Sequence, residues 1–128
     1  MNRFIKENNN LTFNEAIENL LNNIRKDYRR WSNPDKFEGT LKEIRLRSID
    51  RFNDSVKVVR GRKYTKVMQG NSVWGFIANG DGLLKGLRYE KGDVFKAATW
   101  RGPAKHVRGS IFAEEQNYFQ WTGPNYMR

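Results

Sequence analysis

Phe13, Ile17, Leu20, Leu21, Ile24 and Tyr28 recur at helical spacing and form one apolar stripe, introduced by the polar Thr12. Thr12 and Glu15 occupy the N-cap and N3 positions of a capping box, so the pattern predicts a helix that starts immediately after Thr12. Ser32-Asn33-Pro34 interrupts the stripe and restarts it, because proline suits a first helical turn. Phe37, Leu41, Ile44, Ser48, Ile49 and Phe52 then continue at helical spacing, with Gly39 weakening the first turn. Two amphipathic segments joined by so short a break predict an αα-hairpin whose stripes face a core or a subunit interface.

After Asn53-Asp54-Ser55 the period changes to short apolar runs separated by glycine. Val56 to Val59, Tyr64 to Met68, Ser72 to Ala78, Leu83 to Tyr89 and Val94 to Trp100 read as strands, punctuated at Gly61, Gly70-Asn71, Asn79-Gly80-Asp81-Gly82 and Lys91-Gly92-Asp93. The intervals are too short for parallel crossovers, so an antiparallel meander follows and the fold class is α+β. Residues 1–54 form the helical hairpin, residues 55–128 the sheet, and Trp121 to Tyr126 an ordered tail with a turn, all within one domain over 1–128.

Composition narrows the chemistry. A chain of 128 residues that is 38% hydrophobic can bury one ordinary core. It contains no cysteine, which excludes disulfides, thiolate metal sites and a cysteine nucleophile, and fits a reducing compartment. No apolar run approaches the roughly 20 residues of a membrane span, and the start, MNRFIKENNNLTF, lacks a signal peptide's apolar region. The expectation is a soluble, cytosolic chain without a membrane partner.

The net charge is +10, and it is unevenly placed. Up to Asp54 there are 11 Lys/Arg against 9 Asp/Glu; from Ser55 onward there are 13 against 5. No acidic residue stands between Asp54 and Asp81 or between Asp93 and Glu114. Such a field attracts polyanions, of which phosphates are the commonest, although a generally basic solvated surface would carry the same charge.

Catalytic motifs are missing. The sole histidine, His106, sits among cations with no acidic neighbour in sequence to orient it as a base. Asn79-Gly80-Asp81-Gly82 lacks the bidentate glutamate of a calcium loop and reads as a hairpin turn. There is neither a Gly-x-x-x-x-Gly-Lys-Ser/Thr loop nor a Gly-x-Gly-x-x-Gly fingerprint. The expectation is a binding protein with no catalytic residue, metal or cofactor.

Phosphate capture with base stacking fits better. Arg60-Gly61-Arg62, Arg101-Gly102 and Arg108-Gly109 pair a planar phosphate fork with a residue whose backbone N–H can approach the same oxygens. Aromatic residues interleave at Tyr64, Trp74, Phe76, Phe95, Trp100 and Phe112, each a stacking face or a core ring. Strand parity puts Trp74 and Phe76 on one face and separates Phe95 from Trp100. The candidate ligand set is Arg60, Arg62, Trp74, Phe76, Phe95, Arg101, Lys105 and Arg108. In ATWRGPAKHVRGSIF (98–112), Pro103 and the glycines are expected to shape a loop that brings Arg101 and Arg108 into one pocket with Arg60 or Arg62.

The order Lys-Tyr-Thr-Lys at 63–66, Ser72 to Ile77, Lys91 to Trp100, Pro103-Ala104-Lys105, Arg108 to Phe112 and the closing Trp-x-Gly-Pro-x-Tyr resembles a widespread group of small bacteriophage proteins. Within that group the chain is similar to the Thoeris anti-defence sponge family. The resemblance covers slightly more than the C-terminal half. It implies paired N-terminal helices on a C-terminal sheet, assembly as a homo-oligomer in the host bacterial cytoplasm, and sequestration of cyclic ADP-ribose isomers, in some members also cyclic oligonucleotides, without degrading them. A cyclic ADP-ribose isomer would offer a pyrophosphate to arginines and an adenine to aromatic faces. The alternative is a basic phage protein that binds single-strand or duplex nucleic acid with the same residues. A phage assembly role would explain the helices but not the Arg-Gly steps.

Overall fold

In the computed structural model, which describes residues 11–113 and 119–124, the capping box forms in full. Thr12 Oγ1 accepts the Glu15 N–H at 3.1 Å, and Glu15 Oε1 accepts the Thr12 N–H at 3.0 Å. The Thr12 backbone N–H first, and the Thr12 side chain second, hold the Glu15 carboxyl below its usual pKa. Helix α1 (Phe13–Ser32) buries Ala16, Ile17, Leu20, Leu21 and Ile24 and stops at Asn33, whose φ of 48° is left-handed. A 3₁₀ turn, Pro34–Lys36, leads to α2 (Gly39–Ser55). Phe37 lies just before α2, half-buried under the Arg45 guanidinium at 4.1 Å.

The two helices run antiparallel, as the pattern predicts. Arg25 Nη2 donates to the Val56 carbonyl at 3.0 Å at one end, and Arg45 Nη1 to the Ser32 carbonyl at 2.9 Å at the other. Between them Tyr28 and Phe52 stack at 4.0 Å with their rings 4° apart.

Among the described residues nine strands follow: β1 (Val56–Arg60), β2 (Tyr64–Gln69), β3 (Ser72–Ala78), β4 (Gly82–Leu84), β5 (Leu87–Tyr89), β6 (Asp93–Ala97), β7 (Pro103–Ser110), β8 (Phe119–Gln120) and β9 (Gly123–Pro124). The main sheet is antiparallel in the order β1-β2-β3-β6-β7, so the class is α+β. The tail's turn is the β8–β9 hairpin; Tyr126 lies outside the described residues.

Three expectations need correction. The run from Leu83 to Tyr89 is not one strand but the separate β4–β5 hairpin, turned by Lys85 and Gly86 with φ of 50° and 83°. Two consecutive positive φ values are what a two-residue hairpin turn demands, and Gly86 meets that demand without a Cβ penalty. The run from Val94 ends at Ala97, because Thr99 Oγ1 accepts the N–H groups of Arg101 and Gly102 and closes a tight loop over residues 98–102. Pro103 opens edge strand β7, a position where a missing N–H costs nothing in the ladder.

Trp74 and Phe76 lie on opposite faces, not on one. Val67 pairs with Gly75 and Met68 with Val73, leaving Trp74 as the extra residue of a β-bulge. Trp74 therefore joins Val67, Ile77 and Val94 beneath α1, while Phe76 joins Phe95, Ala78 and Tyr89 on the other side. That second cluster includes Tyr64, whose phenol is pushed up to about 12 by burial first and by Tyr89 beside it second.

Candidate functional site

The expected arginine pocket does not form. β1 and β7 are opposite edges of the sheet, so four spacings of about 4.8 Å hold Arg60 roughly 19 Å from Arg108. The antiparallel order also puts the 98–102 loop at the end of the sheet away from the β1–β2 turn, which separates Arg101 from Arg60 and Arg62 in the second direction.

Each predicted residue has a clear place. Arg60 donates to Asn14 Oδ1 and lies 5.6 Å over the Phe13 ring, whose centroid Lys91 Nζ approaches to 5.2 Å. Arg62 is exposed in the β1–β2 turn, Arg101 in the 98–102 loop, and Lys105 on β7. Trp74, Phe76 and Phe95 are core residues with exposures of 2%, 3% and 0%, so no ligand base can stack on them without opening the core. Trp74 also donates its indole N–H to the Gln120 carbonyl at 2.6 Å. Arg108 is buried and donates from Nη1 to the Pro124 carbonyl at 3.4 Å, which makes it a clamp on the β8–β9 hairpin.

The glycines of the Arg-Gly steps serve the backbone too. Gly61 donates its N–H to the Tyr64 carbonyl at 2.9 Å, Gly102 donates to Thr99 Oγ1 at 3.1 Å, and Gly109 is buried within β7 opposite Val94. Their chemistry is that of turns and a strand, not of phosphate approach.

A further meeting of cation and ring lies on the sheet face away from α1. Register places Lys57, Val59, Lys66 and Phe76 on that face, since Val59 pairs with Lys66 and Lys66 with Phe76. The 98–102 loop returns over it and sets Trp100 with its ring centroid 4.5 Å from Lys66 Nζ. Trp100 remains 53% exposed, and beside it Asn71, Ser72, Val73 and residues 97–100 line an open cleft of about 270 Å³. Arg101 follows Trp100 directly. Lys66 was missed from sequence because its signal is register: only pairing with Phe76 and the folded-back loop bring it to Trp100. His106 is exposed on β7, and no metal-binding cluster of His, Asp or Glu exists among the described residues.

Fold and surface define an α+β protein with one sheet face packed beneath α1 and the other holding a second core, beside which Lys66 meets the exposed Trp100 indole. The chain belongs to the family of unknown function DUF7717, which it matches over residues 2–127. No curated protein and no solved structure matches it.

Proposed function

We propose that this chain is a non-catalytic binder of single-stranded nucleic acid, held where Lys57, Lys66 and Trp100 stand on the sheet face away from α1. The observation that carries the reading is the Lys66–Trp100 pair at 4.5 Å on a face that also presents Lys57, with Arg101 next in sequence to the indole. An exposed indole offers a base a stacking partner, and the surrounding cations hold the phosphates on either side. A shallow face suits a strand that runs across it better than a small ligand that must be enclosed.

Fluorescence anisotropy with a labelled single-stranded oligonucleotide tests this. Stacking contributes roughly 1–3 kcal/mol per base, so Trp100→Ala is expected to weaken binding about tenfold to a hundredfold. Unchanged affinity in a folded Trp100→Ala protein overturns the assignment.

A second reading, sequestration of a cyclic ADP-ribose-type nucleotide, is favoured by Phe13 with Arg60 at 5.6 Å and Lys91 at 5.2 Å. Two cations about one ring match a compact molecule that combines a pyrophosphate with an adenine. Calorimetry with cyclic ADP-ribose is expected to show binding that Arg60→Ala abolishes and that returns the nucleotide intact. No heat of binding, or a cleaved product, removes this reading.

A further inference from the structure

The helical side of the molecule carries an apolar patch that none of the described residues covers. Trp31, Leu41 and Ile44 are 62%, 59% and 48% exposed. Arg45 reaches the Ser32 carbonyl, which sets the end of α1 that carries Trp31 against the middle of α2. On α2, Leu41, Ile44, Ser48 and Phe52 follow one another at spacings of three and four, hence on one side of the helix. Phe52 is stacked on Tyr28, and Tyr28 lies 5.6 Å from Trp31, so the exposed patch continues a half-buried aromatic cluster that also holds Trp121. Beyond Ile49, no residue of α2 is buried.

We infer that this patch docks a second copy of the same chain, α2 against α2. The charge distribution selects that occupant. The molecule carries +10, but α2 itself holds Lys42, Arg45, Arg47 and Arg51 against Glu43, Asp50 and Asp54, close to neutral. Several of these charges are already matched at home: Lys42 and Arg29 reach Asp35 at 3.6 and 3.9 Å, and Arg47 reaches Glu43 at 3.8 Å. A polyanion is drawn to the other half of the molecule. Two copies, each repelled by the other's basic sheet, come together at least cost where charge is balanced and apolar area is exposed. Ser48 between Ile44 and Phe52 is small enough to let two helices approach, and an α2–α2 contact about a two-fold axis closes without open-ended growth.

The test is light scattering coupled to gel filtration on the full chain at micromolar concentration. The expected species has twice the chain mass. Leu41→Glu with Ile44→Glu is expected to raise the dimer dissociation constant about a hundredfold or more while far-ultraviolet circular dichroism stays unchanged, because both side chains are exposed in one copy. Leu83→Glu, on the 66%-exposed residue of β4, is the control and should leave the dimer intact. Higher salt is expected to tighten the dimer, since it screens repulsion between like charges. A monomer at these concentrations overturns the inference, as does a dimer indifferent to the double variant or one that Leu83→Glu dissolves equally. Binding of the patch to lipid vesicles by a chain that stays monomeric overturns it in favour of a membrane surface.

Discussion

Arg101 and Arg108 look alike in sequence, each followed by glycine, and the fold gives them different work. Arg108 is buried under the β8–β9 hairpin and donates to Pro124, so Arg108→Ala removes a charge-assisted hydrogen bond and leaves a carbonyl in a dry place. The expected loss is roughly 1.5–3 kcal/mol, read by urea denaturation. Arg101 is exposed, and Arg101→Ala is expected to change stability by no more than about 0.5 kcal/mol. Equal destabilisation by the two would contradict this division. Tyr64 gives a pH signature of the second core. Its folded-state pKa, about 12, stands above the ordinary value of 10. Between those values the unfolded chain has lost the proton that the folded chain keeps, so the contribution is complete below pH 10 and disappears as the pH rises to about 12. Urea midpoints at pH 9 and pH 11 should therefore fall for the native chain and fall less for Tyr64→Phe.

At the scale of elements, the sequence was most legible where a local rule was sufficient. The capping box forms as read, and Thr12→Ala is expected to cost about 1 kcal/mol of stability, measurable by the same denaturation. The helix stripe of α1 is the buried stripe, because a 3.6-residue period and one large sheet to cover leave no other choice. Parity along β3 failed for one reason. A bulge at Trp74 shifts every later residue to the other face, and it is specified by pairing with β2, not by β3 alone. The same non-local cause hid β7. Pro103 reads locally as a loop former, yet an edge strand accepts it at its first position. At Gly92, φ is 89° and a Cβ would fall 2.5 Å from Phe112 Cδ2, so the turn leading into β6 and the packing of Phe112 meet on one residue. Gly92→Ala should destabilise more than Thr12→Ala by that same measurement.

Across the whole molecule, the candidate site was half legible. Composition located the basic half, and the 98–112 stretch did contain an exposed ring and cation, Trp100 and Arg101. The sequence could not say that Arg60 and Arg108 lie on opposite sheet edges or that Lys66 comes under Trp100, because both follow from strand order. That order makes the surface a charged one with separable parts, and salt titration can count them. Each phosphate neutralised on a single strand contributes about −0.7 to the slope of log K against log salt. Lys57, Lys66 and Arg101 together should contribute a slope of roughly −2. The double variant Lys57→Ala, Arg101→Ala is then expected to lower affinity and to flatten the slope by about 1.4. Arg47→Ala, on the outer side of α2, removes the same kind of charge from the helical side and should leave the slope unchanged. If Arg47→Ala flattens the slope as much per charge as the sheet variants do, the oligonucleotide responds only to net charge, and the sheet face is not its seat.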